Sequence, residues 1–547
     1  MSPALRLLAW SIAGCAAAYA MLSGPALPVP GWSSAIFWYL LKALDPIANV
    51  LLLLLAFAAF ALRGYRPWDA AIEWVAAHPG MLAAGLFPLL CLGSLYAYHA
   101  HPLSMDEYGA LFQAKVFATG KLAGQFPPDL LDRLIPPGFQ NIFLSTSRAT
   151  GGVSATFWPG FPMLLAPFVW LGVPWAANPA IGALSVLAIH RLAAEMTGSR
   201  EAAGWAVLFT LASPAFVVNC VSFYSMPAHL LLNVLYALLL LKPTVARAFA
   251  AGLVGSLALT LHNPLPHILF AAPFIAWLLA RRGSLVAVAA LAAAYAAVGG
   301  AIGFGWKLYL GALTGSAGAA AAPAAPAQGG YALLLDYLSV FVLPSMMTVS
   351  QRAAGLAKLW TWAAPGLVIL AAWGFWLARD RTPARLLAAA IALTFLGYLA
   401  VPFDQGHGWG YRYLHSAWFA LPLLAAVAVT GVADLRGMAA WGIVLSLLAA
   451  NALRLVQVEG FIERQLGQVP PLARPAPAAA GEVIFIDPRA GFYTIDLIQN
   501  DPFLRDPRIV LMMRTSERLD DWMAARFPGY ARAASGPWGE QWARPSR

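Results

Sequence analysis

The residues best suited to chemistry stand in the stretch His101-Pro102-Leu103-Ser104-Met105-Asp106-Glu107-Tyr108, directly after an apolar run from Met81 to Ala97. Adjacent carboxylates at the mouth of a membrane helix are costly against lipid, so they are expected to face water or a protein cavity. Asp106 suits a general base, because a carboxylate can take the proton of an acceptor hydroxyl or amine within hydrogen-bond reach. Glu107 points elsewhere on a helix. It could bind a metal, orient the acceptor, or serve as a helix-start carboxylate complementing the dipole, with Lys115 toward the other end. No cofactor is certain from the sequence; a divalent metal, Mg2+ or Mn2+, on Asp106 and Glu107 is one option. Tyr108, Gln113 and Lys115 complete the polar start of this loop.

A second cluster, Asp404, Gln405, His407, Trp409, Tyr411 and Arg412, packs acid, base, aromatics and a cation into one short turn. A guanidinium matches phosphoryl oxygens bidentately and would stabilise a phosphate leaving group. Arg412, with Lys307 and Tyr411, is therefore the candidate phosphate holder, and Tyr309 lies beside Lys307 in sequence. The competing reading pairs Arg412 with Asp404 as a loop anchor. His262-Asn263-Pro264 and His267 add neutral-capable donors, although a lone histidine at a membrane edge is more often a packing residue. Zinc held by His262, His267 and His407 has no ligand spacing behind it.

The elements that must position these residues follow from composition. The 547-residue chain is 61% hydrophobic and only 11% charged. A soluble domain carries about 25% charged residues, so this is a polytopic membrane protein. The formal net charge of +10 lies largely in short loops between apolar runs, as the positive-inside rule expects. No zinc-finger, P-loop or dinucleotide motif supports a nucleic-acid or nucleotide partner. The three cysteines, Cys15, Cys91 and Cys220, fall in or beside apolar segments and indicate neither a disulfide framework nor a thiolate metal site.

Apolar runs at about 4–21, 36–62 and 81–97 open the chain, the first read as a retained signal-anchor helix. Arg63 and Arg66 mark a cytoplasmic end, which sends Asp106 and Glu107 to the outer face. Further crossings are expected at about 176–193, 202–218, 226–241, 245–261, 264–280, 285–306, 361–377, 384–401, 414–431 and 439–455. The segment 159–173 contains Pro159, Pro162 and Pro167 and is expected to dip in without crossing. The expectation is an all-α protein with about 13 transmembrane helices, the N-terminus cytoplasmic and the C-terminus outside. Gly311 to Gly330 is an Ala/Gly/Pro/Ser-rich tract, and Tyr331 to Val349 an apolar outer segment. Past Val456 the composition changes. A Pro/Ala linker at 470–477, strands at Glu482–Ile486 and Arg508–Met512, a short helix at 492–498 and a helix capped by Ser516 predict a small periplasmic α/β domain. Residues 1–80, 81–455 (with the first outer loop 98–158) and 456–547 form the expected divisions.

Met105-Asp106-Glu107-Tyr108, Ala114-Lys115-Val116-Phe117, Gly120-Lys121-Leu122, the dipping segment Pro159 to Phe168 and the late loop Gly410-Tyr411-Arg412-Tyr413 together resemble the GT-C superfamily of integral membrane glycosyltransferases, in its aminoarabinose and protein-mannosyl transferase branch. The likeness covers about residues 80–455. It implies a bacterial inner-membrane enzyme that takes a sugar from a polyprenyl-phosphate donor, inverts its anomeric centre and delivers it to a lipid, glycan or protein of the cell envelope. By resemblance, Asp106 takes the acidic position of the first outer loop, with Glu107 beside it. Two apolar segments precede the helix before this motif, where the branch usually has one crossing. The readings that compete are a membrane glycan polymerase or ligase of another class, and a secondary transporter. A transporter is expected to show an inverted repeat and midplane polar sites, neither of which the sequence displays.

Overall fold

The computed structural model describes residues 1–24, 33–315, 341–474, 481–514 and 518–545. The turn at 25–31, most of the tract 311–330, the segment 331–340, part of the Pro/Ala linker and the Ser516 cap lie outside the described residues. Among those described, seven helices are long and apolar enough to cross a membrane. They are Pro3–Ser23, Ala35–Leu62, Pro79–Tyr96, Pro174–Thr197, Leu285–Leu313, Thr382–Leu399 and Ala433–Gly467. The helices Arg200–Leu211 and Pro214–Val221 meet at 64° and make an eighth if the broken pair is one span.

This corrects the expected count of about 13. The other expected crossings fold as shorter helices, including Met226–Leu240, Val245–Leu259, Leu265–Ala280, Leu367–Ala378 and Ala420–Gly431. A 12-residue helix rises only about 18 Å and a 16-residue one about 24 Å, against a hydrocarbon core of about 30 Å. Apolarity alone overcounted, because it does not register where a helix is cut. The cuts have local causes. Ser199 caps Arg200–Leu211 by accepting the Ala202 amide, and Pro214 opens the next helix where its missing N–H costs nothing. Gly160–Trp170, with Pro167 inside it, has 11 residues and is too short to cross.

The chain divides into two compact units. The first comprises Met1–Ala97, Asn178–Ala301 and Ala325–Gln457 and is helical. The second comprises Tyr98–Ala177, Ile302–Ala324 and Val458–Arg547. It holds a three-stranded antiparallel sheet in which Gly152–Ala155 lies between Gly124–Gln125 and Leu144–Thr146. It also holds the C-terminal α/β region. There Glu482–Ile486, buried along its whole length, pairs in parallel with Arg508–Met512 and antiparallel with Gly539–Ala543, which in turn pairs with Ala531–Gly536. The last hairpin has no counterpart in the sequence reading. One hydrophobic core joins the first long loop to this region: Phe112, Phe126 and Leu134 cluster with Phe485, Leu511 and Trp542.

Candidate active site

The carboxylate stretch folds as a helix, Met105–Phe117, with Ser104 as its N-cap residue, Asp106 and Glu107 in the first turn and Lys115 in the last. This arrangement sets acids at the positive end of the helix dipole and a cation at the negative end. Glu107 is wholly buried. Its Oε1 accepts the Tyr98 hydroxyl at 2.8 Å and its Oε2 accepts the Leu103 amide at 2.7 Å. Glu107 thus closes the 98–107 loop in the manner of a capping box, reaching back one residue beyond the cap. Among the described residues, the group of ligand atoms close enough to hold a cation is His99, Glu459 and Glu463, within 4.8 Å of one another. Asp106 is partly exposed.

Tyr108 and Lys115 face the C-terminal region. The Tyr108 hydroxyl donates to the Asn500 carbonyl at 2.8 Å and accepts the Asn500 amide at 2.9 Å, and burial raises its phenol. Lys115 Nζ lies 3.9 Å from both Asp501 and Asp506. Gln113 holds the sheet, donating to the Leu122 carbonyl and accepting the Ala155 amide.

Beyond the C-terminal end of this helix opens an apolar groove of about 730 Å³. Phe117, Lys121, Met163, Trp170, Trp306 and Tyr309 line it. Tyr309, on the helix that also carries Lys307, meets Ser154 at 3.2 Å, and the Trp306 indole donates to the Phe157 carbonyl at 2.8 Å. Gly303 lets the Trp158 ring pack close, since a Cβ there would force that ring to shift.

The remaining expected residues belong to the other unit. Arg412 is wound into its own loop: it donates to the carbonyls of Gln405 and His407 and lies over the Tyr224 ring at 4.7 Å. Gly408, at φ 132°, permits the approach, because a side chain there would strike the Arg412 stem. Asp404 accepts the Gly406 amide, and Asp404, His407 and Tyr411 are all buried. Arg352, which no sequence pattern singled out, fastens the whole turn. Its guanidinium donates to the carbonyls of Tyr398, Val401 and Phe403 and stacks on Tyr413 at 4.7 Å. His267 has both ring nitrogens engaged, with Asn233 and with Tyr295, each at 2.7 Å. No candidate cation group among the described residues contains His262, His267 or His407.

Asp45, inside the second apolar helix, was also missed. It is fully buried and accepts from Lys358, Arg454, Thr361 and Trp362. Nothing local flags such a residue, because its partners come from some 300 to 400 positions away.

Among solved structures, the chain is similar to ArnT from Cupriavidus metallidurans bound to undecaprenyl phosphate, with a TM-score of 0.51 and 12% identity over 86% of this chain and 98% of that one. The fold resembles that of ArnT. The apo state of the same protein gives a TM-score of 0.53 and 13% identity over 87% of this chain and 98% of that one. At 12% and 13% identity the likeness is one of fold. No family model and no curated protein matches the sequence.

Proposed function

We propose that the chain is an inverting GT-C-type glycosyltransferase of the bacterial inner membrane, moving a hexosyl or pentosyl group from a polyprenyl-phosphate donor to a cell-envelope acceptor. The observation that carries this reading is the apolar groove beyond helix Met105–Phe117. Its walls suit a prenyl chain and its rim bears Lys121 and Tyr309, a cation and a hydroxyl that suit a phosphate. The ArnT fold supports the same class. The active face and the C-terminus are periplasmic in this reading, and the N-terminus is cytoplasmic.

Asp106 takes the proton of the acceptor hydroxyl or amine. The acceptor atom bonds to the anomeric carbon, the bond from that carbon to the phosphate oxygen breaks, and polyprenyl phosphate leaves. Lys307 serves the donor phosphate, and the wound loop around Arg412, with Asp404, His407 and Tyr411, serves substrate binding through its shape and positive charge. His262 and His267 shape the unit that carries this loop. No step is assigned to a metal.

Asp106→Asn tests the reading in purified protein supplied with radiolabelled polyprenyl-phosphate sugars extracted from cell membranes. Transfer to envelope acceptors is expected to fall roughly 10²- to 10⁴-fold. Undiminished transfer by this variant would overturn the assignment of Asp106. Uptake of free sugar by the wild type, without transfer, would favour a transporter.

A further inference from the structure

The C-terminal region holds a second cavity, of about 310 Å³, which shares no lining residue with the groove beyond helix Met105–Phe117. Arg474, Glu482, Arg508, Ser535, Trp538 and Gln541 form its polar side, and two proline rings and Ala534 its apolar side. Its shape is set by bonds within the protein. Glu482, 3% exposed on the central strand, pairs with Arg508 and accepts the Gln541 amide at 2.6 Å. Arg508 also donates to the carbonyls of Pro471 and Arg474, at 3.0 and 3.1 Å, and so fixes the turn that bears the Arg474 side chain. Trp538 belongs to the core cluster of Val469, Ile484 and Leu497, and its carbonyl accepts the Asp487 amide at 2.9 Å. Gly536, in the same hairpin, leaves the indole edge uncovered: a Cβ there would lie 2.7 Å from Nε1.

We propose that this cavity binds an anionic saccharide, a sugar ring carrying a carboxylate or a phosphate, and that it grips the acceptor glycan. The acceptor role rests on the reading of the chain as a glycosyltransferase; the binding site itself does not. Two guanidinium groups against one carboxylate leave the lining with one positive charge in excess, which selects an anion. Glu482 and Arg508 neutralise each other, so the excess belongs to Arg474. Among the described residues, the Arg474 guanidinium, the Trp538 indole N–H and the Ser535 hydroxyl bond no protein group. A guanidinium binds carboxylate or phosphate oxygens through charge-assisted hydrogen bonds. The indole and the hydroxyl add neutral partners for sugar oxygens. An apolar wall with a few fixed polar groups is the usual build of a small-molecule site. At the lower end of the usual range, about 300–1,000 Å³, the cavity suits a single sugar ring and not a prenyl chain.

The site is tested on the full chain in detergent by calorimetric titration with glucuronate, glucose 1-phosphate, glucose and inorganic phosphate. At least one of the two anionic sugars is expected to bind about 10-fold or more tightly than glucose and than inorganic phosphate; the tighter one names the anionic group. Arg474→Ala, a change at an exposed position, should weaken that binding about 10-fold or more. Trp538→Phe keeps a ring in the core, removes the N–H and should weaken it about 3-fold. In the transfer assay with acidic envelope glycans as acceptors, Arg474→Ala should raise the acceptor KM about 10-fold at unchanged kcat. Inorganic phosphate binding as tightly as both anionic sugars, or sugar binding unchanged in Arg474→Ala, overturns the saccharide site. An unchanged acceptor KM overturns the acceptor role. A wild type that binds an anionic sugar and transfers none overturns the proposed function and leaves the site standing, whereas one that transfers and binds neither anionic sugar overturns the site alone.

Discussion

Removing the Glu107 carboxylate takes the shared acceptor from two buried donors, the Tyr98 hydroxyl and the Leu103 amide. Glu107→Ala is therefore expected to cost roughly 1–3 kcal/mol in stability, read as a lowered melting temperature of the purified protein. Asp106→Asn should leave the melting temperature nearly unchanged while lowering transfer roughly 10²- to 10⁴-fold. The contrast separates two carboxylates that the sequence places side by side. Asp106 stands out in the sequence because an acid after an apolar run needs a reason to be there. Glu107's use does not, because it depends on a tyrosine nine residues earlier folding back over it. The same limit hid Arg352 and Asp45, each of which is explained only by partners distant in sequence. His267, a substrate-binding candidate in the sequence, has both ring nitrogens bonded within the protein, to Asn233 and Tyr295.

At the scale of elements, the groove beyond helix Met105–Phe117 makes a separable prediction. Gly305 lines it, and a Cβ there would meet nothing within 4 Å. Gly305→Phe should therefore fill the groove without straining the helix. KM for a long-chain polyprenyl donor is expected to rise about 10-fold or more, while a short-chain, water-soluble donor analogue is used as before; equal effects on both donors would place the prenyl chain elsewhere. The turn 403–412 gives a second test. Arg352→Lys cannot span three carbonyls and stack on Tyr413 at once. Losing charged hydrogen bonds of about 1.5–3 kcal/mol each should speed amide exchange in that turn at least about 10-fold, measured by mass spectrometry. Strands Glu482–Ile486 and Arg508–Met512 were readable from their apolar runs and flanking turns. The hairpin Ala531–Ala543 was not, since Ala531–Gly536 is exposed along its length and carries no alternation. Its pairing is set by the buried central strand it joins, not by its own sequence.

Across the whole molecule, apolar composition made the membrane class plain, and it failed on the count because a short helix and a span look alike in hydropathy. Where helices are short or broken, buried polar groups take over part of the task of holding them in register. Asp45 is the clearest case: one carboxylate, fully buried, faces both Lys358 and Arg454, each 1% exposed. Desolvation makes an unbalanced buried charge expensive, and here the excess is already positive. The two halves of the Asp45–Lys358 bridge should then respond unequally. Asp45→Asn leaves two buried cations without their counter-ion and is expected to destabilise by about 3–5 kcal/mol. Lys358→Met removes the surplus cation, leaves the Asp45–Arg454 pair intact, and should cost far less or even stabilise. Asp45→Asn combined with Lys358→Met should recover part of the loss, since it restores the net charge of the wild-type cluster. Melting temperatures of the three variants in one detergent decide the point: equal losses for the two single variants would mean that packing, and not charge balance, governs this part of the helical unit.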